Sequence, residues 1–303
     1  MTLPIPRSMA VGSRPDGDVW TIQRLLGWSQ GHFAARGIDS PRLTAEVLLA
    51  HALRATRLSL YLEFDRPLDR AELSAFRELV RGRDAGRPTQ HLVGGRDFFG
   101  HWFATDGRAL VPRPETELLV EACLEAIPGD GAGRAALDLC TGGGCIGLTL
   151  LAERPALRLT AVELSPEAAA LARENATALG LEARYELIEG DLYAPLPVHD
   201  RWSVIASNPP YVPTGEWATL PREVRDHEPR LALDGGADGL DVLRRLIDGA
   251  RSRLEPGGLL ALEIGEDQGP AVRALLEAGG LTDARVTKDL AGQDRIARAI
   301  APS

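Results

Sequence analysis

Apolar residues recur at spacings of three and four over roughly the first third of the chain. The pattern is clearest in TIQRLLGWSQGHFAARG, SPRLTAEVLLAHALRA and DRAELSAFRELVRGRDAG, and it is typical of amphipathic helices. Ser40, which is followed by Pro41, and Asp69 are predicted to cap the second and third of these helices. We therefore expect a helical domain over residues 16–87, preceded by a disordered tail at residues 1–15.

The pattern changes after Pro88. HLVGGRDFFGHWFATDGRALVPRP combines aromatic and β-branched residues with glycines, which indicates a hairpin of short strands. From Arg134 onward seven strand-like stretches follow, with helical stretches between the first six: AALDL, LRLTAVEL, RYELIEGD, WSVIASN, GGLLALEIG, ARVTKDL and RIARAI. This alternation predicts a mostly parallel, doubly wound α/β sheet whose last two strands form an antiparallel hairpin. We assign a β-hairpin linker to residues 88–112 and the α/β domain to residues 113–303.

Composition narrows the class of protein. The 303 residues are 44% hydrophobic and 25% charged, as in ordinary globular proteins. The net charge of −9 disfavours a nucleic-acid substrate. Neither a membrane span of about 18 apolar residues nor a signal-peptide core is present, so we expect a cytoplasmic protein. The three cysteines form no disulfide or zinc pattern and the histidines lack ligand spacing, so no metal site is expected.

A glycine-rich turn follows the first strand of the α/β region, in ALDLCTGGGCIG. It consists of Cys140, Thr141, Gly142, Gly143 and Gly144. Backbone N–H groups in such a turn can approach a ligand closely. The next strand ends at Glu163, a carboxylate suited to a ribose diol. Taken singly, each feature has an alternative interpretation, which is a tight turn without a ligand for the glycines and a solvated surface acid for Glu163. Together they favour a nucleoside-bearing cofactor, although the GxGxxG motif of NAD enzymes is absent.

Two further strands end in polar residues. EGD at residues 189–191 ends the third strand with an acid, Asp191, where an adenine amino group could be recognised. NPPY at residues 208–211 ends the fourth strand, beside the crevice where such folds bind ligands. This order resembles the class I S-adenosylmethionine-dependent methyltransferases, whose seven-stranded, Rossmann-like sheet has an antiparallel last strand. The resemblance implies S-adenosylmethionine as the cofactor.

The NPPY tetrapeptide has the residue types needed to hold a planar nitrogen. Prolines 209 and 210 lack N–H groups and fix φ, so neither a helix nor a central strand can continue. The Asn208 side-chain oxygen and the Pro209 carbonyl can accept the two N–H groups, while Tyr211 offers an apolar face. Catalysis would consist of orientation and electrostatics, without a general base. A simple strand-terminating turn is the alternative.

VPRPETELLVE at residues 111–121, the helical front domain, the FFG hairpin and NPPYVP together resemble the protein-(glutamine-N5) methyltransferases, especially those that act on peptide chain release factors. The resemblance covers residues 20–303. It implies methylation of the glutamine in the factor's Gly-Gly-Gln loop, with the front domain helping to recognise the factor.

By position, the resemblance also implies a set of site residues. The cofactor would be lined by Cys140, Thr141, Gly142, Gly143, Gly144, Glu163, Asp191, Leu192 and Asn208. The glutamine would be held by Asn208, Pro209, Pro210 and Tyr211. A lip near the cofactor would be formed by Pro112, Arg113, Glu115 and Thr116, although an ion-paired, structural Arg113 is an equal alternative.

Alternatives remain open at the level of the substrate. DLCTGGGCI and REVRDHEPRLALDGGADGL also resemble a sister enzyme that methylates a glutamine of a large-subunit ribosomal protein, whereas PETE and KDLAGQDRIARA favour the release-factor enzyme. A nucleic-acid adenine-N6 or guanine-N2 methyltransferase and a non-catalytic relative are further alternatives. The family usually has Gly where Cys140 stands. Cys140 and Cys145 are expected to be buried thiols rather than nucleophiles. We expect a monomer.

Overall fold

The computed structural model describes residues 19–303, so the tail predicted at residues 1–15 lies outside the described residues. The chain divides into two compact units after Gly94. The described helices of the first unit are α1 (Ile22–Ala34), α2 (Pro41–Leu53), α3 (Arg57–Leu62), α4 (Arg70–Asp84) and α5 (Thr89–Val93). Their apolar faces enclose a core that includes Leu25, Phe33, Leu48 and Phe76.

The two predicted helix caps differ in the structure. The Asp69 side chain accepts a hydrogen bond from the Glu72 N–H at 2.8 Å, and Glu72 accepts one from the Asp69 N–H at 2.9 Å, which is a capping box. Ser40 precedes α2, but its side chain makes no capping hydrogen bond within the described residues. Its backbone has a φ of +47°, in the left-handed region, whereas a capping serine normally has extended backbone angles. Ser40 thus occupies the predicted N-cap position and Pro41 begins α2, but the serine side chain does not cap the helix.

The second unit begins with a hairpin and contains a seven-stranded sheet. The hairpin strands are β1 (Gly95–Phe98) and β2 (His101–Ala104). The sheet strands are β3 (Ala135–Leu139), β4 (Arg158–Glu163), β5 (Tyr185–Glu189), β6 (Trp202–Ser207), β7 (Leu254–Glu263), β8 (Thr282–Lys288) and β9 (Asp294–Ile300). The helices are α6 (Glu117–Ala126), α7 (Cys145–Glu153), α8 (Pro166–Ala178), α9 (Arg222–His227), α10 (Asp241–Arg253) and α11 (Gly269–Ala278).

The sheet has the order β5-β4-β3-β6-β7-β9-β8. β9 is antiparallel to both of its neighbours, β7 and β8, and the other pairs are parallel. Helices α6, α7 and α8 cover one face, and α10 and α11 cover the other. The predicted α/β sheet and its terminal antiparallel hairpin are confirmed. None of the helices among residues 19–303 is long and apolar enough to cross a membrane.

Strand register brings four chain segments to one edge of this sheet. Leu139 is paired with Val162 and with Ser207, and Ser207 is paired with Leu262. The residues that directly follow these positions therefore lie side by side at the carboxyl edge. They are Cys140, Glu163, Asn208 and Glu263. The strand order reverses here, between β3 and β6, which is where open α/β sheets bind ligands.

Candidate active site

A cavity of about 290 Å³ opens at this edge of the sheet. It brings together most of the predicted site residues. Those that line it are Cys140, Thr141, Gly142, Gly143, Glu163, Asp191, Leu192, Asn208 and Pro210. Three predicted residues do not line it, namely Gly144, Pro209 and Tyr211. Of the predicted lip, Pro112, Arg113 and Thr116 line the cavity, and Glu115 does not.

The glycine-rich turn depends on backbone angles that glycine adopts easily. Gly142 and Gly144 have φ values of +57° and +86°, and a Cβ at Gly144 would lie 2.8 Å from the Leu148 side chain. Cys140 also lies in the left-handed region, at +58°. A residue with a side chain is strained there, which explains why glycine suits this position. Burial raises the pKa of the Cys140 thiol to about 12, so this group remains protonated and a poor nucleophile.

The Glu163 carboxylate is buried in the wall of the cavity. One oxygen accepts a hydrogen bond from the Gly142 N–H at 2.8 Å, and the other accepts one from the Ser165 N–H at 2.9 Å. Each carboxylate oxygen has a second lone pair, so the group can still accept hydrogen bonds from a diol. Glu163 therefore fixes the glycine-rich turn and the start of α8 while it presents acceptors to the cavity. Asp191, at the cavity wall, pairs with Arg245 at 2.7 Å.

Asp138 holds the glycine-rich turn in place through hydrogen bonds. Its side chain is fully buried, and one oxygen accepts hydrogen bonds from the Thr141 hydroxyl at 2.6 Å and from the Gly147 N–H at 3.0 Å. Burial raises the pKa of Asp138 to about 7, against the effect of these hydrogen bonds. In the sequence this residue is indicated only as part of a strand. The signal was an acid within an otherwise apolar strand, directly before the turn.

The raised pKa of Asp138 predicts a pH-dependent stability. The unfolded chain loses this proton near its ordinary value, about 3.9, whereas the folded chain retains it until about pH 7. The folded state therefore binds the extra proton between these values, and stability falls as pH rises through the window, by up to about 1.4 kcal/mol per pH unit. We expect the free energy of unfolding of the wild type, relative to Asp138→Asn, to fall from about pH 5 to about pH 7 and then level off. Urea unfolding checks this, with the exposed Asp200→Asn as the control. A difference independent of pH would contradict the expectation.

Asn175 is a site residue that sequence analysis missed. It is a buried residue of α8 that lines the cavity. Its side-chain oxygen accepts from the Ala104 N–H at 2.8 Å, and its Nδ2 donates to the carbonyls of Gly143 at 2.8 Å and Ala104 at 3.2 Å. One amide thus joins the β1–β2 hairpin to the glycine-rich turn. In the sequence Asn175 is one of several polar residues of a predicted helix, and no local pattern indicates that it belongs to the site.

We expect Asn175→Ala to destabilise the protein by about 3 kcal/mol, because buried backbone groups of Ala104 and Gly143 lose their partners. Denaturant unfolding measures this cost. Thr177→Ala, at an exposed position of the same helix, is the control and is expected to change stability by less than about 0.5 kcal/mol. A cost for Asn175→Ala no larger than that of the control would show that the amide does not join the two segments.

The NPPY segment is held in place by hydrogen bonds from three directions. The Asn208 Nδ2 donates to the Thr116 hydroxyl oxygen at 3.3 Å, and the Thr116 hydroxyl donates to Glu263 at 2.6 Å. The Tyr211 hydroxyl donates to the other Glu263 oxygen at 3.2 Å, and the Tyr211 carbonyl accepts from Gln268 at 2.9 Å. The hydroxyl of Tyr211 therefore faces Glu263 rather than the cavity.

Arg113 is ion-paired. Its guanidinium donates to Glu228 at 2.6 Å, and the other oxygen of this carboxylate accepts from the Val111 N–H at 3.1 Å. Glu228 is buried; burial raises its pKa, and the Arg113 charge opposes that rise. Glu228 thus holds residues 111–113 in place beside the cavity. Among residues 19–303 no group of three or more His, Cys, Asp or Glu side chains is placed to bind a metal.

Comparison with known proteins identifies the family. Residues 24–94 match the family described as the PrmC N-terminal domain, and residues 114–221 match the methyltransferase small domain. The release factor glutamine methyltransferase of Geobacter sulfurreducens is 41% identical over 92% of this chain and 96% of its own length. That of Cereibacter sphaeroides is 46% identical over 89% of this chain and 95% of its own.

The chain belongs to the release factor glutamine methyltransferase family. Membership of a methyltransferase family confirms the predicted enzyme class and the predicted cofactor, S-adenosylmethionine. The fold is shared more widely. A T. thermophilus 16S rRNA methyltransferase, solved in complex with AdoMet and guanosine, superposes with a TM-score of 0.51 at 21% identity, over 68% of this chain and 49% of that one.

The cavity of this chain fits a nucleoside-bearing cofactor. Carboxylates at Glu163 and Asp191 provide acceptors for hydroxyl and amino groups, and Val162, Leu171 and Leu192 provide apolar walls for a planar base. Gly142 and Gly143 of the glycine-rich turn also line the cavity, and their lack of side chains allows a ligand to approach the backbone closely. The residues present therefore match the chemistry of S-adenosylmethionine.

Proposed function

We propose that this chain methylates the side-chain amide nitrogen (N5) of the glutamine in the Gly-Gly-Gln loop of peptide chain release factors. Relatives that match nearly their whole length are named release factor glutamine methyltransferases. The single observation that carries the proposal is the hydrogen bond from the Asn208 Nδ2 to Thr116. With its N–H directed there, the Asn208 side-chain oxygen is left as an acceptor at the wall of the cofactor cavity.

The chemistry of an amide explains why such an acceptor is needed. The lone pair of an amide nitrogen is delocalised into the carbonyl group, so the nitrogen is a poor nucleophile. S-adenosylmethionine supplies an electrophilic methyl group on a sulfonium. Asn208 Oδ1 and the Pro209 carbonyl each accept one N–H of the glutamine, which orients the nitrogen and increases its electron density. The N–H becomes acidic only after the methyl has been transferred, so no general base is required.

We assign the cofactor contacts by the same reasoning. Glu163 accepts hydrogen bonds from the ribose hydroxyls, and Asp191 accepts from the adenine amino group. Residues 140–143 line the cofactor, and Leu192 packs against the base. Pro210 and Tyr211 keep the Asn208–Pro209 pair rigid, because fixed φ angles at the prolines and the Tyr211–Glu263 hydrogen bond restrict the segment.

The remaining assignments follow from the substrate. The helical unit docks the body of the release factor, which frees the second unit to receive the glutamine loop. The enzyme acts as a monomer in the cytoplasm, where release factors work on the ribosome. It takes the factor itself, rather than a nucleic acid, as its direct substrate, in keeping with the net charge of −9.

Transfer of a labelled methyl group from S-adenosylmethionine tests this proposal. An unmodified release factor, the same factor with alanine in place of the Gly-Gly-Gln glutamine, a large-subunit ribosomal protein and duplex DNA and RNA are offered separately. We expect label only in the unmodified release factor. Label only in the ribosomal protein would show that the substrate is a large-subunit ribosomal protein instead. Label only in nucleic acid would show that the chain does not methylate proteins.

A further inference from the structure

A series of hydrogen-bonded polar side chains leads from Asn208 to Tyr211. It links Asn208 to Thr116 at 3.3 Å, Thr116 to Glu263 at 2.6 Å, and Glu263 to Tyr211 at 3.2 Å. Thr116 and Glu263 are each only 1% exposed. Strand register brings Glu263 close to Asn208, because the residues that precede them, Leu262 and Ser207, are paired. Thr116 arrives from the short helical turn that precedes α6.

When Glu263 is ionised, the hydrogen bonds among Asn208, Thr116 and Glu263 have only one possible arrangement of donors and acceptors. A carboxylate accepts hydrogen bonds and donates none, so the Thr116 hydroxyl must donate its single proton to Glu263. Thr116 can then only accept from Asn208, which must present its NH₂ group. The Asn208 oxygen is thereby turned to the opposite side. An asparagine amide has similar shape in both orientations, so packing alone does not choose between them.

We propose that Thr116 and Glu263 are positioning residues that fix the orientation of the Asn208 amide, so that its oxygen and never its NH₂ group meets the substrate nitrogen. This inference rests on the proposed function, since it concerns recognition of an N–H donor. A flipped Asn208 would direct its own N–H groups at those of the glutamine, which is repulsive. Thr116, which the sequence placed only in a lip near the cofactor, thereby has a role in orienting Asn208.

Three variants separate this positioning role from a packing role. Thr116→Val keeps the size of the side chain and removes the hydroxyl, and Thr116→Ser keeps the hydroxyl and removes a methyl. We expect Thr116→Val to lower kcat about 10-fold, with the KM for the release factor and the affinity for S-adenosylhomocysteine within about three-fold of wild type. Thr116→Ser is expected to retain kcat within about three-fold. If Thr116→Ser falls as far as Thr116→Val, the role is one of packing and the inference is wrong.

The third variant combines Thr116→Val with Asn208→Ala. Residues that act through one another give non-additive effects. If Thr116 acts only by orienting Asn208, Thr116→Val costs nothing further once Asn208 is alanine. A full additional 10-fold loss in the double variant would show that Thr116 acts on catalysis by another route, and would overturn the inference.

The pH profile gives an independent test of Glu263. Burial raises its pKa, with Thr116 and Glu115 facing it from the turn before α6, Tyr211 from the NPPY segment and Arg295 from β9. A protonated Glu263 can donate to Thr116, which frees the Thr116 proton to turn toward Asn208 and removes the selection of one amide orientation. We expect kcat to fall as pH falls through this pKa, and we expect this acid limb to be absent in Glu263→Gln. An unchanged limb in Glu263→Gln would contradict the role of Glu263.

A readout without turnover distinguishes failure of this inference from failure of the proposed function. The side-chain ¹⁵N amide resonance of Asn208, assigned through its loss in Asn208→Ala, reports the hydrogen bond directly. We expect it to be similar in the wild type and Thr116→Ser and shifted in Thr116→Val. If no substrate is methylated but the resonance behaves this way, the proposed function is wrong and the positioning of Asn208 by Thr116 is upheld. If methylation occurs but the resonance does not respond to Thr116→Val, the positioning of Asn208 by Thr116 is wrong and the proposed function is upheld.

Discussion

Replacing Asn208 by alanine is expected to lower the rate of methyl transfer at saturating substrates by about 100-fold or more. The substitution removes a hydrogen-bond acceptor that orients and polarises the substrate nitrogen in the transition state. The cofactor affinity is expected to stay within several-fold, because Glu163, Asp191 and the glycine-rich turn are unchanged. Steady-state kinetics with a release factor measures the first effect, and calorimetric titration with S-adenosylhomocysteine measures the second.

Thr214→Ala provides the control for this variant. Thr214 begins the short 3-10 helix that follows NPPY. It is exposed, and its hydroxyl donates to Asp234 at 2.6 Å, but it does not line the cavity. Its substitution is expected to leave the turnover within about two-fold of wild type. Near-wild-type turnover in Asn208→Ala would show that the NPPY segment is a strand-terminating turn and nothing more.

Replacing Glu163 by alanine is expected to weaken the binding of S-adenosylmethionine by about 100-fold or more. Two losses act together. The ribose hydroxyls lose a charged acceptor, and hydrogen bonds to charged groups contribute about 1.5–3 kcal/mol each. The Gly142 and Ser165 N–H groups lose the carboxylate that holds the turn in position. Calorimetric titration with the cofactor measures the change in Kd.

Glu189→Ala is the matched control, because Glu189 is the residue paired with Glu163 on the adjacent strand β5. Its carboxylate pairs with Arg173 at 2.9 Å and does not line the cavity. We expect the Glu189 variant to bind the cofactor with nearly wild-type affinity. Equal affinities for the two variants would show that Glu163 stabilises the turn without contacting the cofactor and that the turn tolerates its loss.

The strands, the glycine-rich turn and the acid at the end of β4 could be predicted because their signals are local. An apolar strand followed by glycines, and a carboxylate one strand later, are patterns within about 30 residues of sequence. Parallel strands then bring their carboxyl ends to one edge, as the pairing of Leu139 with Val162 and Ser207 illustrates. The prediction of the fold therefore needed no knowledge of long-range contacts.

The supporting contacts could not be predicted in this way, because each joins segments that are far apart in the sequence. Thr116 and Glu263 are separated by 147 positions, and Ala104 and Asn175 by 71. A threonine in a turn or an asparagine in a helix has no distinctive local pattern. Ser40 occupies the predicted cap position, but its left-handed backbone angles, which the sequence does not reveal, keep its side chain from capping α2.

Tandem mass spectrometry of a release factor after incubation with this enzyme and S-adenosylmethionine tests the central claim most directly. The proposal predicts one added methyl group, located by fragmentation on the side-chain nitrogen of the glutamine in the Gly-Gly-Gln loop, and its absence when Asn208→Ala is used for the same time. A methyl group on any other residue, or an unmodified glutamine after prolonged incubation with the active cofactor-bound enzyme, would contradict it.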